Sequence, residues 1–250
     1  MVQKPPFGAQ HPQQNPGTAE RVVIIGTGDH AALALECFTL DSPHEVVAFS
    51  AEPEFIRSDE YCGRPVIPFD RLATAYPPSE YRAFVAASAT QLNRVRRRLF
   101  DAAKSAGFSF VSYVSRSSFV WNNVEIGENV FVGELNVLHH GVRVGDNVVI
   151  ASGTHLGHGT VIGNDCYLAS RVTFAGECRV GSRCFVGIGS CIANNRSLAD
   201  DCVIGAGAVV VEDTQPCQVY VGNPARPTSR DSFETFNCKH LNDDLMSAHR

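Results

Sequence analysis

Two histidines three residues apart, His155 and His158, lie among glycines and small residues in the stretch 151–165. A second pair, His139 and His140, precedes them. Imidazole changes its charge near neutral pH and also binds metals, so these side chains could serve as ligands or as a general base. Which role is open to them depends on the elements that hold them.

A six-residue repeat positions these histidines. Every sixth residue from Val120 to Val210 is aliphatic or Phe, without a slip of register. The next residue is often Gly or Ala, and the residue two positions before is usually small or β-branched. Such hexads predict a parallel β-helix whose triangular coil contains three hexads, or about eighteen residues. Residues that far apart should stack on one edge, at about the 4.8 Å spacing of strands.

The same repeat accounts for several of the nine cysteines. There is no CxxC pair, and the odd count leaves one cysteine unpaired, so neither a zinc site nor a disulfide framework is favoured. We expect buried thiols that act as small apolar side chains at the inward position, namely Cys166, Cys178, Cys184 and Cys202.

Residues 21–114 alternate between strand and helix patterns. Strands are predicted in RVVII, EVVAF, AFVAA and FSFVSYV, and a short helix in HAALALECF. The segment QLNRVRRRLFDAAKSAG has the helical period at Leu92, Val95, Leu99 and Ala103. This alternation implies a parallel α/β sheet. We interpret the basic run RVRRR as a solvated helix face.

Composition argues against two classes of partner. The net charge of −5 is unlike that of nucleic-acid binders, which usually present a basic face. No apolar run reaches membrane-spanning length, and residues 1–20 lack the apolar core of a signal peptide. Those twenty residues, rich in Pro and Gln, predict a disordered tail. We therefore expect a cytoplasmic protein that binds neither nucleic acid nor membrane.

The repeat half resembles the left-handed β-helix acyltransferases, and VYVGNPARP resembles the segment that closes the helix in that family. Residues 21–227 resemble a narrower group, the sialic-acid O-acetyltransferases and bacillosamine-pathway sugar N-acetyltransferases. The matching landmarks are IGTGDHA, CGRPVIPFD, the Arg-rich helix after FVAASA, HGTVIGND, FAGECRVG, CFVGIGSCI and LADDCVIGAGAVV.

The resemblance implies a Rossmann-like nucleotide-sugar-binding domain over 21–114, a left-handed β-helix acyltransferase domain over 115–227 and a C-terminal tail over 228–250. It implies a homotrimer with coenzyme A between adjacent β-helices and active sites shared between subunits. The implied reaction is direct transfer from acetyl-CoA to an amino or hydroxyl group of a nucleotide-linked sugar, as in cell-surface polysaccharide biosynthesis. No metal is expected.

In the resembled family the general base is a His in the position of His158. A glycine one coil further on, here Gly176, donates its N–H to the thioester oxygen. A thioester is already activated, so the protein needs only a base and a donor for the developing negative charge. The family usually has an acid directly after this His, whereas the present chain has Gly159.

Stacking suggests substitutes for the missing acid. Glu177, one coil beyond Gly159, is our hypothesis for the residue that orients His158. His140, one coil before His158, is a second candidate influence, because two close imidazoles resist joint protonation. A sugar-pocket or surface role for His140 is an equal alternative. His155 is assigned to substrate binding.

Coenzyme A contacts follow from the resemblance alone. They fall on Gly176, Ile188 and Ala206, and on Tyr167, where some relatives carry a second His. No long loop interrupts residues 120–210, so the N-terminal domain is expected to cover the acceptor.

The loop GTGDHA follows a predicted strand and opens a helix, a place that favours phosphate. No acid ends the second strand, so NAD is disfavoured. The candidate nucleotide-sugar contacts are Gly26, Thr27, Gly28, His30, Ser50 and Ser88. A turn kept only for folding is the alternative.

Two other functions stay open. A zinc enzyme of the γ-carbonic anhydrase type needs one histidine pair five residues apart, whereas the pairs here are adjacent or three apart. A non-catalytic β-helix scaffold would not bind coenzyme A.

Overall fold

The structure is a computed structural model that describes residues 18–238. The predicted N-terminal tail lies outside this range apart from residues 18–20, and so does the part of the predicted C-terminal tail after residue 238. None of the helices in the described range is long and apolar enough to cross a membrane.

The first half forms a five-stranded sheet with helices on both sides. Its strands are β1 (Arg21–Ile25), β2 (Glu45–Ala51), β3 (Glu60–Tyr61), β4 (Arg64–Pro68) and β5 (Arg82–Val85). The helices of the described chain are α1 (Asp29–Asp41), α2 (Leu72–Ala75), α3 (Arg94–Ser105) and α4 (Ser232–Thr235). Short 3-10 turns occur at Pro53–Phe55 and Phe69–Arg71.

The strand order is β3-β4-β2-β1-β5, and every pairing is parallel except that of β3 with β4. Alternate residues of β1 face opposite sides, as the period of a strand requires. Val22 and Ile24 pack with buried residues of α1, whereas Val23 and Ile25 pack with those of α3. The predicted parallel α/β sheet is present in this half.

Two predicted elements differ from the structure. Leu92 lies outside α3, in a left-handed turn, although it is buried. The segment FSFVSYV is not one strand of this sheet: Phe110 makes an isolated bridge to Ala83, and its last residues begin the repeat half as β6 (Tyr113–Val114). Leu92 is buried against Val203 and Val219 of the second half, whereas Phe108 and Phe110 are buried in the core of the first half beside α3.

The second half is a column of two-residue strands, each ending on the sixth-residue position of the repeat. The strands are β7 (Phe119–Val120), β8 (Glu125–Ile126), β9 (Phe131–Val132), β10 (Val137–Leu138), β11 (Arg143–Val144), β12 (Val149–Ile150), β13 (His155–Leu156), β14 (Val161–Ile162), β15 (Tyr167–Leu168), β16 (Thr173–Phe174), β17 (Arg179–Val180), β18 (Phe185–Val186), β19 (Cys191–Ile192), β20 (Ser197–Leu198), β21 (Val203–Ile204) and β22 (Val209–Val210). An antiparallel hairpin of β23 (Gln218–Val221) and β24 (Arg226–Asp231) follows.

These strands make three parallel sheets, the faces of a triangular left-handed β-helix. The first face runs from β6 through β9, β12, β15, β18 and β21 to the hairpin; the second carries β7 to β22 and the third β8 to β20, each in steps of three. We call the corner between the second and third faces the histidine edge (121–124, 139–142, 157–160, 175–178, 193–196). The corner between the third and first faces is the docking edge (127–130, 145–148, 163–166, 181–184, 199–202).

The interior is filled as the repeat predicts. The core contains the sixth-residue aliphatics, and inward residues such as Val148 and Thr160 are fully buried. The thiols Cys166, Cys178, Cys184 and Cys202 are fully buried as well, so their predicted place is confirmed. Glycine is required where coils meet closely: a Cβ on Gly157 would lie 2.6 Å from the backbone of Ala175.

Helix α3 joins the two halves at the docking edge. Arg96 is buried, and its guanidinium donates to the carbonyls of Val85 (2.8 Å), Ala87 (3.3 Å), Asn129 (3.0 Å) and Asn147 (3.2 Å). The interpretation of RVRRR as a wholly solvated face was therefore wrong. The residue pattern of one helix does not show that, of its four arginines, Arg96 is surrounded by main-chain carbonyls, two of them from the second half.

Candidate active site

His158 lies exposed on the histidine edge, with its ring against the next coil. A Cβ built on the buried Gly176 would lie 2.5 Å from Nε2 of His158, so only glycine leaves room for this imidazole. The coils are tied by a backbone hydrogen bond from Glu177 to His158 (2.8 Å). The predicted eighteen-residue stacking of His158 and Gly176 is therefore present in the structure.

The Glu177 side chain lies beside Gly159, the position at which the resembled family usually has an acid. A Cβ on Gly159 would lie 2.6 Å from Oε1 of Glu177, so the carboxylate occupies the volume of a side chain at position 159. Within the described residues, neither the His158 ring nor the Glu177 carboxylate has a hydrogen bond or an ion pair. Both groups are therefore available to a ligand on this edge.

The predicted oxyanion donor is engaged in this structure. The N–H of Gly176 donates to Oδ1 of Asn194, one coil further on, at 2.8 Å. The same type of contact recurs on the docking edge, where Ser182 N–H donates to Asp200 (2.9 Å). A thioester oxygen would have to replace Asn194 as the acceptor.

Aromatic rings cluster on the coils before His158. Trp121 lies 6.2 Å from His139 and 6.3 Å from His140, and His139 lies 5.4 Å from His155 (ring centroids). Burial, and then the neighbouring His139, lowers the pKa of His155. The backbone of His140 stacks under the His158 coil through the bond from Gly159 N–H (3.0 Å), but its ring contacts Trp121.

The glycine loop lies against the first face. His30 Nε2 and the Tyr167 hydroxyl are 3.0 Å apart, which joins the loop to the β-helix. Burial and the Arg96 charge lower the pKa of His30, whereas burial raises that of Tyr167 against the opposing effect of Arg96. A neutral imidazole and a neutral phenol therefore share this contact at neutral pH.

Two cavities meet at Tyr167. One of about 190 Å³ is lined by His30, Arg96, Glu134 and residues of the first face. The other, of about 600 Å³, is more open and is lined by the loop after β5, by Phe185 and by the end of α4. Both cavities lie between the first half and the β-helix, so the β-helix would cover a ligand that the first half binds there.

The remaining loop residues are placed as follows. Gly26 donates to the Ser50 carbonyl at 2.7 Å, and Gly28 precedes α1 with Thr27 beside it. Ser88 lines the larger cavity, and its hydroxyl shares a hydrogen bond with the hydroxyl of Thr90. The Ser50 hydroxyl, in contrast, is buried without a hydrogen-bond partner, so it does not face either cavity.

One chain does not bring all the predicted site residues together. His140, His155, His158, Gly176 and Glu177 lie on or beside the histidine edge. Tyr167 and the glycine loop lie on the first face, which is opposite that edge in a triangular coil. Ile188 and Ala206 are exposed on the third corner, between the first and second faces.

The chain is similar to known proteins both in its repeat sequence and in its fold. The family models described as bacterial transferase hexapeptide (six repeats) and hexapeptide repeat of succinyl-transferase match residues 123–158 and 178–212. No curated protein matches the chain. A variant of perosamine N-acetyltransferase from Caulobacter crescentus, solved with CoA and GDP-perosamine, is 30% identical (TM-score 0.76, covering 84% of this chain and 97% of that one).

The chain belongs to the left-handed β-helix sugar N-acetyltransferases. It is an acyltransferase, and the predicted family and β-helix are confirmed. The acetyltransferase domain of PglB from Neisseria gonorrhoeae (22% identical, TM-score 0.75) and WeeI from Acinetobacter baumannii (19%, 0.71) have the same fold, each over 84% of this chain and 100% of theirs.

Sequence reasoning missed three residues of this acyltransferase that the structure makes prominent. They are Trp121 beside the histidines, Asn194 on the Gly176 amide and Arg96 between the halves. The eighteen-residue rule already places Trp121 below His139 and Asn194 above Gly176, so that signal was present. Within residues 18–238, no group of three or more His, Cys, Asp or Glu side chains is placed to hold a metal ion.

Proposed function

We propose that this acyltransferase moves an acetyl group directly from acetyl-CoA to an amino, or alternatively a hydroxyl, group of a nucleotide-linked sugar. The observation that carries the proposal is the His158 ring seated against Gly176 on an exposed edge. This contact supports a general base that acts beside a backbone N–H donor. The 30% identical relative, solved with CoA and GDP-perosamine, supports both substrates.

In this proposal His158 acts as the general base. Its imidazole accepts the proton that the acceptor amine loses as the nitrogen attacks the thioester carbonyl carbon. The developing oxyanion takes the Gly176 N–H in place of Asn194, and collapse expels the coenzyme A thiolate, which regains a proton from the imidazolium. Glu177 orients the ring and balances its positive charge during the transfer.

The first half is proposed to be Rossmann-like and to hold the nucleotide-sugar. The loop at Gly26, Thr27 and Gly28 precedes α1, whose N-terminus favours phosphate. His30 and Ser88 line the two cavities, so they remain candidate contacts, whereas the enclosed hydroxyl of Ser50 contributes through its carbonyl to the loop. We keep the domain bounds 21–114 and 115–227, although β24 continues past residue 228.

We propose a homotrimer with shared sites, and the opposed positions of the two residue groups support it. Because His158 and the glycine loop lie on opposite sides of one prism, the base would act on a sugar held by a neighbouring chain. Coenzyme A would then lie between β-helices, near Ile188 and Ala206 of one and the histidine edge of the other. Mixing inactive His158→Ala and Gly28→Trp chains should restore activity in mixed trimers; no restoration would place each site within one chain.

A thiol-release assay with acetyl-CoA tests the function directly. Wild type and His158→Ala are compared on UDP-, dTDP- and GDP-linked amino sugars, with Ser182→Ala, at the same repeat position on another edge, as the control. We expect turnover of one sugar by wild type and control, and a loss of about 10²- to 10⁴-fold in His158→Ala. Full activity of His158→Ala would remove it as the base.

A further inference from the structure

The residues that line the histidine edge change in size at His158. The column one position after the core aliphatics reads Trp121, His139, Gly157, Ala175, Ala193. In this column, large rings lie on the coils before His158, and two alanines lie on the next two coils, before Val211 at the far end. The rings of the first part offer an aromatic surface, whereas the small side chains of Gly157, Ala175 and Ala193 leave more room outside the coil.

Trp121 has a position unusual for its type. It is the one Trp of the chain, and 41% of its surface is exposed, although it contacts Phe119, His139 and His140. Three aromatic neighbours thus hold its ring in place, while part of the side chain faces outward. Tryptophan offers the strongest aromatic face for a ligand cation, and such faces line small-molecule sites together with a few polar groups.

The imidazoles supply those polar groups. The His139 ring is tilted by 30° to the Trp121 ring, and it also contacts the ring of His155, which lies on the second face. Because burial and His139 lower the pKa of His155, this ring stays neutral near pH 7 and can accept a hydrogen bond from a hydroxyl or an ammonium group. His140 lies on the coil between those of Trp121 and His158, where its ring contacts Trp121 and its carbonyl accepts a hydrogen bond from Gly159.

We propose that Trp121 and His139 form the platform on which the acceptor sugar ring lies, with its amino group directed along the edge towards His158. This rests on the proposed function, and it assigns the two substrates to opposite sides of the base. The acetyl thioester arm lies over Gly157, Ala175 and Ala193, and the sugar lies over the rings. Trp121 is then a determinant of acceptor specificity and has no part in binding coenzyme A.

The single Trp makes the contact directly measurable. Indole fluorescence of the wild-type protein is followed during titration with GDP-perosamine and with UDP- and dTDP-linked amino sugars, each compared with its free nucleotide. We expect a saturable change with at least one amino sugar and none with the nucleotides or with acetyl-CoA. The absence of any sugar-dependent change, in protein that still binds acetyl-CoA, overturns the proposal even if a sugar is turned over.

Kinetics of two variants separate this role from packing between subunits. Trp121→Ala should raise KM for the amino sugar about tenfold or more and leave KM for acetyl-CoA unchanged, and Trp121→Phe should restore part of the difference. Val211→Ala is the matched control, since Val211 continues the same column at its far end and is 42% exposed. Loss of the trimer in Trp121→Ala, or a rise in KM for acetyl-CoA instead, would reject the platform. A fluorescence change without turnover would preserve the platform and reject the proposed reaction.

Discussion

The histidine edge and the docking edge are built from the same repeat but hold their side chains differently. On the docking edge, Asn129, Asn147 and Asp165 are buried and joined in sequence by amide hydrogen bonds of 2.7 Å. On the histidine edge, His140 and His158 occupy equivalent positions on successive coils, are exposed and have no such bonds within residues 18–238. In a regular scaffold, polar side chains that their own chain leaves unpaired are the ones available for chemistry.

Burial on the docking edge has an electrostatic cost that hydrogen bonds offset. Burial lowers the pKa of Arg96 to about 10, and it raises that of Asp165. Arg96 has four carbonyl acceptors, and Asn147 donates to Asp165. This edge therefore holds the halves together through contacts that cannot be removed singly without leaving others unpaired.

The largest expected effect is on the docking edge. Arg96→Met would leave four carbonyls without their donor, and we expect a loss of about 3 kcal/mol or more in the free energy of unfolding. Arg98→Met is the control on the same helix, because Arg98 is half-exposed and pairs with Glu52 at the surface, so its loss should cost about 1 kcal/mol or less. Urea unfolding compares the two.

If Arg96→Met does not fold, Arg96→Lys provides a milder test, because it keeps the charge but has fewer donors. An intermediate loss would agree with the carbonyl contacts as the source of stability. Equal stability of Arg96→Met and wild type would show that the docking edge does not depend on this guanidinium.

A smaller effect, on activity, is expected from the histidine edge. The added methyl of Gly176→Ala would displace the His158 ring, and a misplaced base costs about 100-fold in kcat. In Gly145→Ala, on the docking edge, the methyl would first meet Oδ1 of the exposed Asn164, which can move away, and would lie 3.1 Å from the nearest backbone atoms, so kcat should change by less than about twofold. Purified variants are compared in the thiol-release assay; equal activities would mean that ring placement does not matter.

The sequence predicts the scaffold better than the sites. The period of six fixes the strand ends, and the eighteen-residue stacking of His158 on Gly176 follows from it. The burial of Arg96 was not predictable, because its acceptors are main-chain carbonyls, which leave no trace in residue types. The burial of the Ser50 hydroxyl was not predictable either. A hydroxyl at the end of a strand is expected to be accessible to a ligand unless the packing around it is known.

Glu177 gives the smallest expected effect. Its carboxylate occupies the volume beside Gly159, whereas Asp201 and Asp165 of the docking edge are paired with Arg183 and Asn147. If it orients the His158 ring and stabilises its imidazolium during the transfer, Glu177→Gln should lower kcat about tenfold in the thiol-release assay. Glu125→Gln, which changes an exposed acid on the third face, should leave kcat unchanged. An unchanged kcat in Glu177→Gln would mean that Glu177 only fills the space beside Gly159 and that the substrates themselves orient His158.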